Sequence, residues 1–97
     1  MKLNEKCMKD ILEHCADNIV ITDEGQTHTL VRLFDIIKQF SKKYEREEVL
    51  YSLKKLIELN YVITSDLSVY DGKWHPGVFI HDVTFQGHKY LENFDDN

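Results

Sequence analysis

The sequence predicts a single α+β domain in which a closely spaced pair of helices is followed by a β-hairpin. Three observations carry this expectation. Val49, Leu50, Leu53, Leu56 and Ile57 recur at the i, i+3, i+4, i+7 spacing that gathers apolar side chains into one stripe of a helix, with Glu47, Glu48, Tyr51, Lys54, Lys55 and Glu58 pointing the other way. Just upstream, Leu30, Leu33, Phe34, Ile37 and Phe40 repeat at the same spacing, and only Ser41-Lys42-Lys43 separates the two patterns. After Asn60 the period changes to the β-branched and aromatic runs Tyr61–Thr64, Leu67–Tyr70 and Val78–Val83, broken by the turn-rich stretch Asp71–Gly77.

Taken in order, residues 4–17 predict a first helix. Asn4 is suited to cap it, Glu5 sits beside the positive end of its dipole, and Met8, Ile11, Leu12 and Cys15 form its apolar stripe. Ile19–Thr22 is short, β-branched and closed by Asp23-Glu24-Gly25, which suits a brief strand and a turn. Thr27 or Thr29 can cap the second helix, which runs to about Phe40. The third, Tyr44–Tyr61, ends at Asn60, a residue that tolerates the left-handed conformation. Thr84 can cap a closing helix that offers Phe85, Tyr90, Leu91 and Phe94 to the core, with Gly87 allowing a close approach to the sheet. Helix, strand, helix, helix, hairpin, helix is the order of a winged helix-turn-helix: three helices, a β-hairpin wing and a short C-terminal helix, in one domain spanning residues 1–97.

The whole-chain numbers agree with one such unit, since 97 residues with 42% hydrophobic content support one core and no second. The segment MKLNEKCMKDILEH scatters charge where a signal peptide needs an apolar run, and no stretch is long and apolar enough to cross a membrane, so the expectation is a cytoplasmic protein without a membrane partner. Cys7 and Cys15 are then reduced core thiols. The net charge of −5 opposes sequence-independent nucleic-acid binding, yet Lys38, Lys42, Lys43 and Arg46 fall within nine positions and make a local basic patch.

Three segments carry a resemblance: MKLNEKCMKDIL at the start, YEREEVLYSLKKLIELNYV in the middle and DVTFQGHKYLENFDDN at the end. With Cys7, Asp10, Ile11 and Leu12, then Tyr44, Glu47, Glu48, Tyr51, Lys55, Leu56 and Glu58, then Thr84, Gly87, His88 and Leu91, the chain resembles the bacterial and prophage family called domain of unknown function 2513. Glu45 departs from that pattern where the family tends to have a capping Ser, and Asn60 where it tends to have Gly. The resemblance implies a winged-helix-like domain of mobile-element association and supplies no reaction.

In a winged helix the second helix of the pair commonly enters the major groove. Arg46, Glu47, Tyr51 and Lys54 would then face base edges, Lys38, Lys42 and Lys43 would meet phosphates, and Lys73 and Trp74 would extend the surface at the wing tip beside His75. Each has a plainer explanation. Acids in a first turn stabilise the helix dipole, Trp74 can fold back on Tyr70 or Phe79, and carboxylates beside a duplex are repelled by phosphates. Cys7, His14 and Cys15 are metal-ligand types on one helix, but they diverge around it and no CxxC or HxxxH pair sets tetrahedral geometry, so no metal or other cofactor is expected. His88 is assigned a structural hydrogen bond; no triad spacing, phosphate loop or paired acids supply an enzyme. The expected function is a small non-enzymatic regulator that binds double-stranded DNA, of the transcription-regulating kind. The alternative is a protein-interaction module acting on a host or phage protein, with a homodimer as a further option.

Overall fold

The computed structural model describes residues 1–28, 31–65 and 77–94. Helix α1 spans Glu5–Asp17, and its Asn4 cap accepts a hydrogen bond from the Cys7 N–H at 3.1 Å, as the sequence predicts. Strands β1 (Val20–Ile21) and β2 (Thr27–His28) form a two-stranded antiparallel arm closed at Thr22–Gln26, with Gly25 at φ 83°. Strand β3 (Val31–Arg32) leads directly into helix α2 (Leu33–Phe40), and helix α3 spans Arg46–Glu58. Strands β4 (Val62–Thr64) and β5 (Phe79–Val83) follow, then helix α4 (Phe85–Asn93). The described residues form a mixed α+β fold of four helices and small antiparallel sheets, the larger ordered β3-β5-β4.

The second helix starts later than its apolar pattern predicts. Thr27 does not cap it but lies in β2, and the residues expected to be its first turn include β3. Val31 pairs with Ile80 and Arg32 with Phe79, while the Leu33 N–H donates to the Val78 carbonyl at 3.1 Å. Pairing with a strand almost fifty residues away has overridden local helical periodicity, and Arg32 stands at the N-cap without a side-chain bond. The expectations for Thr29, Leu30, Leu67–Tyr70 and the tip from Asp71 to Pro76 lie outside the described residues.

Helix α1 is the central element, packing on α3 and touching β5 and α4. Cys7, Met8, Ile11, Leu12 and Cys15 are buried from it, facing Leu33, Ile36 and Ile37 of α2 and Val49, Leu53 and Leu56 of α3. Two expected core aromatics lie outside: Phe34 is 39% exposed and Phe85 72%. Periodicity gathers residues on a stripe, but which edge of that stripe meets the sheet depends on docking. On α2 the buried set is rotated toward Ile36, and on α4 burial is concentrated at Gly87, Tyr90 and Leu91.

Strand β5 buries both Ile80 and Val83, three residues apart, against the two-residue alternation of a regular strand. The register explains it. Val62 and Ile63 pair with Val83 and Asp82, but Thr64 pairs with Ile80, so His81 is an extra residue that flips the face. Asn60 has φ 61° and turns the chain from α3 into β4. Thr84 caps α4 by accepting from the Gly87 N–H, its hydroxyl donates to the Asn60 carbonyl, and its own N–H donates to the Tyr61 carbonyl.

Candidate functional site

The α2–α3 corner is built by a short run of main-chain bonds. Ser41, Lys43 and Tyr44 N–H groups donate to Ile37, Phe40 and Phe40 carbonyls respectively, so the chain reverses within one turn. Asp10 of α1 then fastens the corner: its carboxylate accepts from the Tyr44 hydroxyl at 2.6 Å and from Lys43 Nζ at 3.1 Å. Burial raises the Asp10 carboxyl, but these two donors and the charges of Lys43 and Lys9 outweigh it, and the group titrates below the ordinary carboxylate range. Burial and the bond to Asp10 push the Tyr44 phenol up.

The start of α3 is fastened separately. Glu48 accepts from the Glu45 N–H at 3.2 Å and, through its other oxygen, from Asn4 Nδ2 at 2.8 Å. Asn4 in turn caps α1, so one carboxylate joins the N-terminal ends of two helices. This corrects the expectation that Glu48 belongs to the outer face. With Glu48 reciprocating to its N–H, Glu45 begins the helix even though it is not the Ser of the resembling family.

The exposed residues of the corner are Lys38, Lys42, Lys43, Arg46 and Glu47, followed along α3 by Lys54 and Glu58. Lys38, Lys42, Arg46 and Lys54 make no ion pair among the described residues, whereas Lys43 is engaged with Asp10. Lys55 pairs with Glu58 at 2.9 Å and lies 5.1 Å from the centroid of the half-buried Tyr51 ring. The structure therefore brings Lys38, Lys42, Lys43, Arg46 and Glu47 to one corner and sets Tyr51 and Lys54 farther along the same helix. Lys73 and Trp74 lie outside the described residues.

Comparison with protein-family models, curated proteins and solved structures finds no match to this chain. Its own geometry is informative about the residues that carry the resemblance noted above. Asp10, Tyr44, Glu48, Thr84 and Gly87 are joints of the framework, and Cys7 is buried in the core. His88, expected to make a structural hydrogen bond, is exposed, and the bond it makes among the described residues is that of its main-chain N–H to the Thr84 carbonyl. Cys7 and Cys15 are both fully buried; burial raises the Cys7 thiol and pushes Cys15 up to about 12. Among the described residues no three His, Cys, Asp or Glu side chains converge on a metal position, and no helix is long and apolar enough to cross a membrane.

Sequence reasoning placed Asn4 only as the α1 cap and missed its bond to Glu48, and it missed the positioning role of Asp10. Both act across more than thirty residues of chain, a distance over which helical periodicity carries no signal.

Proposed function

We propose that the chain is a winged helix-turn-helix module that associates with double-stranded DNA through the α2–α3 corner, in the manner of a small bacterial or prophage regulator. The fold reading rests on the order α1, β3, α2, α3, β4, β5 with β5 central in the sheet, in which an antiparallel strand pair follows the two helices as a wing does. The functional reading rests on one observation. Lys38, Lys42 and Arg46 stand exposed and make no ion pair among the described residues around the N-terminal end of α3, whose dipole adds to their attraction for phosphate. Two of the acids that argue against DNA are used elsewhere, Glu48 on Asn4 and Glu58 on Lys55.

The test is binding of a labelled random-sequence duplex, followed by fluorescence anisotropy across salt concentrations. About four phosphate contacts give a salt slope near −3.6, so affinity falls about a hundredfold between roughly 50 and 200 mM salt. Lys42→Glu with Arg46→Glu abolishes this binding; Lys43 is unsuitable for the purpose because reversing it would set a carboxylate beside Asp10. Absence of salt-sensitive binding at low ionic strength refutes the DNA reading.

A second reading, contact with a host or phage protein, is favoured by the stripe Glu47, Tyr51, Lys54 and Glu58. These recur at i, i+4, i+7 and i+11, so acids bracket the aromatic and the base on one face of α3. A face of alternating sign suits a polar protein surface better than a uniformly negative duplex.

A further inference from the structure

Among the described residues, the β1–β2 arm presents an unpaired strand edge. Thr22 and Gln26 are bonded across it, the Thr22 N–H donating to the Gln26 carbonyl at 2.9 Å. In antiparallel pairing, hydrogen-bonded and non-bonded pairs alternate, so Val20–His28 is the next bonded pair and Ile21–Thr27 lies between. The N–H and C=O of Ile21 consequently point away from β2, toward the outer edge. That edge is apolar, with Val20 60% and Ile21 68% exposed. A two-stranded ribbon with an open apolar edge is a ready template for another strand.

The charge around the edge selects its occupant. From Cys15 to Val31 the chain carries Asp17, Asp23 and Glu24 and no Lys or Arg, while Glu13, just before, is paired with Lys9 at 2.9 Å. Beneath the arm lies a cleft of about 400 Å³ lined by His14, Asn18, Val20, His28, Val31 and Asp35, so a fourth carboxylate faces the same ground. In a two-fold pairing of β1 with its copy, two acidic arms would be brought together, which like-charge repulsion disfavours. An extended segment flanked by Lys or Arg meets the acids instead. Side chains of an added strand alternate between faces, so every second one would stand over the cleft and its Asp35.

We propose that the outer edge of β1 is a docking site for an extended, apolar protein segment with cationic flanks, added to the arm as a third strand. This surface is independent of whatever α3 binds.

The test uses the full chain and two labelled peptides of alternating Val and Thr, one flanked by Lys pairs and the other by Glu pairs. The Lys-flanked peptide is expected to bind and the Glu-flanked peptide not to. Ile21→Pro removes the outward N–H while leaving the Val20–His28 and Thr22–Gln26 bonds, since proline is tolerated where a strand N–H faces solvent. It should weaken peptide binding about tenfold or more, and Asp23→Lys with Glu24→Lys, which leaves the backbone unchanged, should do the same. Circular dichroism of each variant establishes that the fold is retained. Failure of the Lys-flanked peptide to bind overturns the proposal, as does equal binding of both peptides, or unchanged binding by the folded variants. Sedimentation of the chain alone supplies the remaining outcome: a dimer that Ile21→Pro dissolves would assign the edge to a second copy and overturn the cationic partner.

Discussion

Gly87 sets how closely α4 can lie on the sheet, and Gly87→Ala tests that directly. A Cβ at this position would overlap the Tyr61 carbonyl oxygen and would stand 2.8 Å from Val83 Cγ1, about 0.6 Å inside ordinary contact at 3.4 Å. The Tyr61 carbonyl is main chain and already accepts the Thr84 N–H at 2.9 Å, so it cannot swing aside as a long side chain would. Relief requires α4 to move outward, which stretches that bond and the Thr84 hydroxyl bond to the Asn60 carbonyl. Overpacking costs about 1–3 kcal/mol and a weakened hydrogen bond about 1 more, while alanine returns about 0.5–1 through helix propensity. The net loss is about 1–3.5 kcal/mol, or roughly 5–25 °C in melting temperature for a domain of this size. Thermal and urea unfolding followed by circular dichroism measure it. Gly77→Ala is the control, because a Cβ there meets nothing within 4 Å and the backbone is not left-handed. A Gly87→Ala protein as stable as the parent would refute the close seating of α4.

Four further outcomes follow from the same geometry. Ser52 is fully buried on α3 facing the Cys7 thiol, yet its hydroxyl completes no hydrogen bond of ordinary length, so Ser52→Ala should leave stability unchanged or raise it by up to about 1 kcal/mol in urea unfolding. The Asp10 carboxyl is held below its usual range in the fold, so the stability it contributes is fully present above its unfolded value and disappears as pH falls through its folded one. The difference in urea midpoint between the parent and Asp10→Asn should therefore be constant near neutrality and shrink below about pH 4. Cys7 and Cys15 should be inert to a thiol reagent in the folded protein and react together on unfolding; rapid native labelling would contradict their burial. Glu47→Gln should tighten duplex binding if DNA is the ligand of α3, because it removes one of the two exposed acids that flank Arg46; weakened binding would place Glu47 in a favourable contact.

Much of the framework was legible where the signal was local. Asn4, Thr84 and Asn60 could be assigned to helix ends from residue type and position, and the stripes of α1 and α3 from spacing alone. The departures all have a distant cause. β3 exists because β5 arrives beside Val31 and Arg32, so no window around residue 31 contains the information. Phe34 and Phe85 satisfy helical periodicity but sit at the edge of their stripes, and only the docking angle decides that they remain outside. The candidate site was legible as a list of bases and acids, but not as a division of labour. That division depends on which acids the fold itself uses.

Each acid of α3 has a different neighbour, and this decides how its charge counts. Glu48 satisfies two donors at once, the Glu45 main chain and the Asn4 amide, so its charge is spent inside the joint between α1 and α3. Glu58 lies three turns away from the corner and is neutralised by Lys55. Lys43 is likewise withdrawn from the basic cluster by Asp10, so the subtraction applies to both signs. What remains at the corner is Lys38, Lys42 and Arg46 against Glu45 and Glu47, a small positive excess on a chain whose formal charge is −5. The overall charge is therefore a poor guide to this surface, because Asp17, Asp23 and Glu24, which make no ion pair among the described residues, lie on the β1–β2 arm and its approach. Segregation of that kind would let one small domain meet partners of opposite charge at two places, phosphates at the corner and a cationic strand at the arm.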